Sequence, residues 1–189
     1  MAVGYVRPAR PDDAGDIARI QLTTWRVAYR RILPRHVLDQ LDEDWLAQRW
    51  RDAVEAPPSP AHRVLVAVEQ ADTPTGAPGY LVGFAAAGPA DEAALAPGET
   101  ALDGTAAVTD LLVEPRWGRR GHGSRLLAAC VALWREDGFA TAVAWAYERD
   151  PATRNFLTSA GWEPDGARRA LDVDDLLVPQ LRLHTSLAA

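Results

Sequence analysis

The feature that most constrains the fold is an abrupt change of character between residues 106 and 138. The apolar, β-branched run "AAVTDLLV" (106–113) predicts a strand. The segment "GSRLLAACVALWREDG" (123–138) predicts a helix, because apolar residues recur at helical spacing and Gly138 follows as a stop. The turn between them is rich in glycine and arginine. The chain must therefore fold so that a strand leads into a helix through a flexible, positively charged turn.

That turn has the properties of an anion site. The first N–H groups of a helix have no acceptor within the helix, and they carry a partial positive charge. Gly121 and Gly123 let an anion approach the backbone without meeting a Cβ, and Arg119 and Arg120 add charge that suits a diphosphate. The glycine spacing matches neither a P-loop nor a dinucleotide fingerprint. On the turn alone, a flexible surface loop with solvated arginines remains an alternative.

The rest of the chain contains further strand-like and helix-like patterns. Helices are predicted from Pro11 to about Tyr29, across "PRHVLDQL" and "DEDWLAQRWRDAVEA", and over 151–161. Strands are predicted at 4–9, 62–69, 80–88 and 141–147, and in "RRALDV" and "PQLRLHT". Two Pro/Gly-rich stretches predict a hairpin loop at 70–79 and a long loop at 88–104. This order predicts an α/β (α+β) layer fold with a mixed sheet.

Composition limits the classes of protein to consider. The 189 residues suit one domain spanning 1–189, with an ordinary globular balance of apolar and charged residues. A net charge of −6 argues against a general nucleic-acid or anionic-membrane binder. The single cysteine, Cys130, lies in an apolar helical pattern and is expected to be a buried thiol. No metal-ligand spacing and no signal peptide are visible, so we expect a cytoplasmic protein without a metal.

Three stretches of the chain resemble the GNAT acyltransferase superfamily. "LLVEPRWGRRGHGSRLL" is similar to its acyl-CoA-binding motif, and "TTWRVAYRRILP" resembles the first helix and following loop of one bacterial branch. "DPATRNFLTSAGW" resembles the family's late helix. The order of elements agrees from about residue 4 to 185. The resemblance implies a mixed, mostly antiparallel central sheet of about seven strands, flanked by about four helices, and acetyl-CoA as cosubstrate.

The resemblance also implies which residues would bind the cofactor. The end of the strand would meet the pantetheine arm and the thioester carbonyl through Leu111, Leu112 and Val113. The turn would bind the pyrophosphate through Arg119, Arg120, Gly121, His122, Gly123 and Ser124. For His122 we expect the backbone N–H to matter more than the ring, which would face solvent or cofactor. Asp150 stands where relatives often have an asparagine that contacts the cofactor.

On the acceptor side, the resemblance points to two aromatic residues. Trp25 and Tyr29 are four residues apart and share a helix face. In the resembling branch, this helix and its loop border the acceptor pocket. Aromatic core packing is an equally good interpretation of the pair.

The sequence departs from the family at the residues that carry proton transfer. The tyrosine that often protonates the departing thiolate corresponds to Leu157, and two common positions for a general base correspond to Ala107 and Trp145. Gly118 replaces the first residue of the family's R/Q-x-x-G-x-G turn. Transfer from a thioester can survive these losses, because alignment alone supplies about 7–11 kcal/mol of barrier reduction.

Two residues remain as catalytic candidates. Asp110 lies in an apolar run, where burial would raise the pKa of its carboxyl group. Simple strand alternation places Asp110 opposite Ala107 and Leu111, away from the substrate, unless a bulge shifts the register; a structural aspartate is the alternative. Tyr147 ends the strand 141–147 and is the nearest hydroxyl to replace the missing acid, with a packing role as its alternative.

These observations predict an acetyl-CoA-dependent N-acetyltransferase. Its acceptor would be a primary amine of a small molecule or peptide. The prediction includes neither nucleic acid nor membrane as a partner, and it leaves a homodimer possible. The alternative is a degenerate GNAT domain that binds acyl-CoA as a sensor or structural module without turnover.

Overall fold

The computed structural model describes residues 4–70 and 79–188. Seven strands form one sheet in the order β1-β2-β3-β4-β5-β7-β6. Neighbouring strands are antiparallel except β4 and β5, which run parallel. The predicted mixed, mostly antiparallel sheet of seven strands is therefore confirmed. The strands are β1 (Gly4–Pro8), β2 (Arg63–Glu69), β3 (Tyr80–Pro89), β4 (Thr105–Val113), β5 (Thr141–Tyr147), β6 (Glu163–Val173) and β7 (Leu176–Ser186).

Five α-helices accompany the described strands, one more than the sequence suggested. Capping explains two of the boundaries. Asp42 accepts a hydrogen bond from the Trp45 amide at 2.7 Å and so begins α3, while Asp150 accepts from the Ala152 and Thr153 amides at the start of α5. The helices are α1 (Ala14–Ala28), α2 (Arg35–Asp39), α3 (Glu43–Glu55), α4 (His122–Glu136) and α5 (Pro151–Ser159). Short 3₁₀ turns occur at Pro11–Asp13, Glu92–Ala94 and Pro115–Trp117.

Apolar side chains cover both faces of the sheet. On the face covered by α4 and α5, called here the α4 face, Leu126 and Trp134 pack with the small residues of the central strands. On the opposite face, called the α1 face, Ile17 and Ile20 of α1 pack against Phe84 of β3. Cys130 lies in the α4-face core, where burial raises the pKa of its thiol to about 12. The buried thiol that the helical pattern predicted is confirmed.

The two predicted loops differ in what the structure describes. Most of the stretch 70–79, the predicted hairpin loop, lies outside the described residues. The long loop at 88–104 contains a 3₁₀ turn and is tied to the sheet. The Ala94 carbonyl accepts a hydrogen bond from Trp145 Nε1 at 3.0 Å, and Glu99 forms an ion pair with Arg182 at 2.6 Å. This loop therefore forms part of the α1 face.

The central strands separate at one end. β4 and β5 pair only from Thr105 to Ala107, against Thr141 to Val143. Beyond these residues β4 continues to Val113 paired with β3, and β5 continues to Tyr147 paired with β7. The two strand ends thus leave a split in the middle of the sheet. This split positions the candidate site.

No described helix combines the length and the apolar character that crossing a bilayer requires.

Candidate active site

A cavity of about 550 Å³ occupies the split between β4 and β5. Its walls come from α1, the end of β4, the turn that follows, β5, α5 and one residue of β7. Most of the site residues predicted from the sequence line this one cavity. They include residues predicted to bind the cofactor, to act in catalysis and to contact the acceptor. Those that line it are Trp25, Tyr29, Asp110, Leu111, Leu112, Val113, Arg119, Gly121, His122, Gly123, Ser124, Tyr147 and Asp150.

The turn between β4 and α4 presents backbone N–H groups to the cavity end. The N–H groups of the first turn of α4, which begins at His122, have no intrahelical acceptor, and no side chain caps them. Gly121 has φ +80°, which glycine adopts without a Cβ penalty. Arg119 also lies in the left-handed region, with φ +62°. The turn has the open helix start and the backbone shape of an anion cradle.

Gly123 is close-packed rather than open. A Cβ at this position would lie 3.4 Å from the Phe156 ring of α5 and 3.8 Å from Leu111. The first turn of α4 therefore approaches α5 across the α4 side of the cavity. A branched side chain at residue 123 would fill the space between the turn, α5 and the end of β4.

Arg120 is placed differently from the prediction. Its side chain does not line the cavity; the guanidinium lies 4.9 Å above the Trp117 ring, and its NH1 atom is 3.7 Å from Glu69 Oε1. The expectation that Arg120 faces a diphosphate is therefore not met in this conformation. Stacking on an indole and attraction to a buried carboxylate hold the side chain on the outer side of the turn.

His122 is the second correction. Its ring was expected to face solvent or cofactor, but the residue is only 1% exposed. Nε2 lies 3.1 Å from Glu69 Oε2, without the alignment of a hydrogen bond, and Nδ1 lies 3.4 Å from Arg125 NH1. Burial lowers the pKa of His122, with Arg125 and Arg120 adding to the effect and Glu69 opposing it. The ring thus attaches the turn to the end of β2.

A bulge in β4 redirects Asp110. Ala86 pairs with Asp110 and Ala87 with Val108, so Thr109 has no partner in β3. The extra residue shifts the alternation by one. Asp110 consequently shares the α1 face with Ala107, and the expectation from simple alternation that it faces away from the substrate is wrong. The bulge turns the carboxyl group into the cavity.

The environment of Asp110 suits proton transfer. The side chain lines the cavity and is largely enclosed by protein. Burial raises the pKa of Asp110 from 3.8 to about 6, although a hydrogen bond with Thr109 and the charge of Arg49 oppose the rise. A carboxylate with a pKa near 6 accepts and releases protons close to neutral pH.

Aromatic rings form the α1 side of the cavity. Tyr29 lies edge-on to Tyr147, with ring centroids 5.1 Å apart, and Trp25 lies 6.2 Å from Tyr29. Burial raises the pKa of both tyrosines. The nearby Arg169 partly opposes the rise for Tyr147, while the charges of Asp110 and Asp150 add to it. Both hydroxyls therefore remain protonated at neutral pH.

Asp150 has a structural role besides its place in the cavity wall. Its Oδ1 atom accepts the Ala152 and Thr153 amides, and its Oδ2 atom accepts the Thr153 hydroxyl at 2.6 Å. These bonds use the carboxylate to cap α5. Asp150 thereby fixes the helix that closes the end of the split.

The match to a known family agrees with this geometry. The model of the family described as "Acetyltransferase (GNAT) family" matches residues 19–162, a span that contains the split, the turn and both central strands. The chain belongs to the GNAT acetyltransferase family.

Individual relatives support the assignment at lower identity. The "Uncharacterized N-acetyltransferase YuaI" of Bacillus subtilis (strain 168) is 28% identical over 147 residues, which is 78% of this chain and 73% of the relative. The PaiA N-acetyltransferase of Thermoplasma acidophilum, solved with coenzyme A, is 13% identical with a TM-score of 0.66, covering 97% and 99% of the two chains. YncA of Salmonella typhimurium, solved with acetyl-CoA, is 18% identical with a TM-score of 0.65, covering 98% and 94%. At these identities the two structures show a shared fold.

At the three positions where the resemblance implied proton-transfer residues, the chain has Leu157, Trp145 and Ala107, whose side chains cannot act as a general acid or base. Leu157 is 3% exposed in the α4-face core and also lines the cavity. Trp145 lines the cavity as well, and Ala107 is 5% exposed against Val143 and Ala94. Of the side chains that can transfer a proton, Asp110, Tyr29 and Tyr147 lie on the α1 side of this cavity. Among the described residues, no three His, Cys, Asp or Glu side chains come together to hold a metal ion.

Sequence reasoning missed several residues of the site. Glu69 pairs with His122 from the end of a strand far away in sequence, and Gln180 reaches the cavity from β7. Phe156 and Trp117 add apolar surface on the α4 side and beside the turn. Trp117 could have been found, because it lies in the stretch that resembles the acyl-CoA-binding motif. Nothing in the sequence indicated Gln180, whose position depends on strand order.

Proposed function

We propose that the protein transfers the acetyl group of acetyl-CoA to a primary amine. The observation that carries the proposal is the cavity itself. It joins an uncapped helix start, suited to a diphosphate, to a carboxylate and a hydroxyl on the other side of the sheet. The family match and the neighbours solved with coenzyme A or acetyl-CoA support the choice of cosubstrate.

The end of β4 suits the pantetheine arm. From Val108 to Val113 the strand pairs with β3 on one side, while β5 has moved away on the other. Its unpaired edge offers backbone donors and acceptors to an extended amide chain. An N–H group of this edge at Leu112 or Val113 would stabilise the negative charge that develops on the thioester oxygen.

Asp110 and Tyr147 would transfer the protons. The amine nitrogen attacks the thioester carbonyl, the C–N bond forms and the C–S bond breaks. Asp110 would take the proton that the nitrogen releases, because the raised pKa of its carboxyl group matches a base working near neutral pH. Tyr147 would give a proton to the departing thiolate, and its raised pKa keeps the hydroxyl protonated until then.

Turnover with a panel of primary amines tests the proposal. A thiol reagent detects the CoA thiol that the reaction releases, and mass spectrometry identifies the N-acetyl product. We expect turnover of at least one amine, and its loss in the Gly123→Val variant, in which a branched side chain would fill the gap beside Phe156. Tight CoA binding with no acetylated product from any amine would instead favour a binding module without catalysis.

A further inference from the structure

One arginine on the α1 face of the sheet lacks a counter-charge; it does not itself line the cavity but donates a hydrogen bond to Gln180, which does. Arg182 of β7 is neutralised by Glu99 and Asp165, each at 2.6 Å. Arg169 of β6 lies over the same side of the sheet, yet among the described residues it forms no salt bridge with a carboxylate. Two neighbouring guanidiniums thus share an environment, and one of them has no anion.

The contacts of Arg169 are with neutral groups. Its Nε donates to Gln180 Oε1 at 2.7 Å, its NH1 donates to the Ala93 carbonyl, and its guanidinium lies 4.2 Å from the Trp145 ring centroid. Burial lowers the pKa of Arg169. A half-buried charge with neutral partners is incompletely compensated, so an anion beside it is stabilised.

The sheet register links this charge to the cavity. Tyr147 pairs with Gln180, and Gln180 pairs with Arg169, so the three side chains form one row on the α1 face. Tyr147 and Gln180 line the cavity. Since the Gln180 oxygen accepts from Arg169, its amide nitrogen remains as a donor. Gln180 and Arg169 together are called here the donor end.

The opposite side of the split has the opposite polarity. Asp110 and Asp150 are the carboxylates among the described residues that line the cavity, and Asp150 uses both oxygens to cap α5. Asp110 is therefore the carboxylate available to a ligand ammonium. The charges of Asp110 and Arg169 both act on the Tyr147 hydroxyl, with opposite effects on its pKa.

We propose that the acceptor is a free amino acid, whose carboxylate binds at the donor end while its amine faces Asp110. A ligand with both charges complements both sides of the split. The inference rests on the proposed function, since it names the acceptor class of the same cavity. Arg169 and Gln180 are then the residues that determine specificity.

Matched pairs of acceptors provide the test. Each common L-amino acid is compared with the amine that its decarboxylation gives, as kcat/KM in the turnover assay. A charged hydrogen bond is worth about 10- to 100-fold, so the best amino acid should exceed its amine by at least about tenfold. Arg169→Gln should reduce this ratio to below about threefold. Arg168→Gln, beside it on β6 and paired with Glu148, should leave the ratio unchanged.

A second variant separates the effect from loss of folding. Gln180→Glu places a carboxylate beside Arg169 and so occupies the site of the missing anion. It should abolish the preference for amino acids while the melting temperature stays the same or rises. A wild-type preference for the decarboxylated amines would overturn the inference, as would an amino-acid preference that survives in Arg169→Gln.

Calorimetric titration of amino acids into the CoA-loaded protein measures their binding whether or not the protein turns them over. Amino-acid binding that depends on Arg169, without any acetylated product, would uphold the inference and contradict the proposed function. Turnover of amines at rates that do not depend on a carboxylate in the acceptor would uphold the proposed function and overturn the inference. Absence of both binding and turnover would overturn the inference as well.

Discussion

The imidazole of His122 and the carboxylate of Glu69 face each other at 3.1 Å, with side chains that are 1% and 8% exposed. His122 is the first residue of α4, directly behind the turn that we assign to the diphosphate, and Glu69 is the last residue of β2. A buried pair of ionisable groups therefore connects the turn before α4 to the end of β2. Burial favours the neutral form of the His122 ring in this pair.

The first prediction concerns acid stability. The pKa of His122 in the folded protein is lowered from 6.5 by burial, so the fold favours the neutral ring. As pH falls through 6.5, the unfolded chain takes up the proton at a higher pH than the folded protein does, and the free energy of unfolding decreases. Denaturant unfolding at pH 7.5 and at pH 5.5 should show a smaller acid loss in His122→Gln than in the wild type.

His184→Gln is the matched control for that measurement. The His184 ring is 36% exposed and lies 3.6 Å from Glu163 at the sheet edge. Its removal should leave the acid loss as in the wild type. An acid loss in His122→Gln equal to that of the wild type would show that the buried ring does not contribute.

Much of the fold follows from local patterns. The apolar run 141–147 gives β5 its observed bounds, and Pro151 marks the first residue of α5 as proline at a helix start predicts. The bulge at Thr109 could not be read from the sequence, because the apolar residues of the run 106–113 fall at both odd and even positions and give no sign of a register shift. That single residue reversed the expected direction of Asp110.

The polar partners of the site could not be predicted from local sequence patterns. Glu69 meets His122 only because β2 lies two strands from β4, next to the start of α4. Gln180 reaches the cavity because β7 inserts between β5 and β6. Periodicity determines which face a residue takes within its strand, but not which strands become neighbours.

The second prediction tests the shape of the turn. Gly121 has φ +80°, and a Cβ there would meet nothing nearer than Arg125 at 3.7 Å. Gly121→Ala therefore destabilises the fold through the left-handed backbone conformation and not through a steric clash. We expect a loss of about 1–2 kcal/mol in the free energy of unfolding, with weaker CoA binding in calorimetry. Gly15→Ala, in α1 with no atom within 4 Å of the new Cβ, should be neutral or slightly stabilising and should bind CoA normally.

The third prediction concerns the proton donor. Tyr147→Phe keeps the ring against Tyr29 and removes the hydroxyl. With a confirmed substrate, kcat should fall about 10²- to 10⁴-fold, because the departing thiolate loses its acid, while the CoA dissociation constant stays unchanged. Tyr5→Phe, at an exposed residue of the edge strand β1, should have wild-type rates. An unchanged kcat in Tyr147→Phe, with an unchanged alkaline limb of the pH–rate profile, would leave water as the donor.

The last prediction uses the raised pKa of Asp110, about 6 compared with an ordinary 3.8. The folded protein holds this proton more strongly than the unfolded chain, so the stabilising effect is present at low pH and is lost as pH rises through about 6. Asp110→Asn removes the charge and should raise the melting temperature at pH 7.5, while kcat falls about 10²- to 10⁴-fold and the acid limb of the rate profile near pH 6 disappears. Loss of activity with a gain in stability distinguishes a catalytic base from a structural aspartate, whose replacement would lower both. Asp103→Asn, in the exposed part of the 88–104 loop, controls for removal of one negative charge.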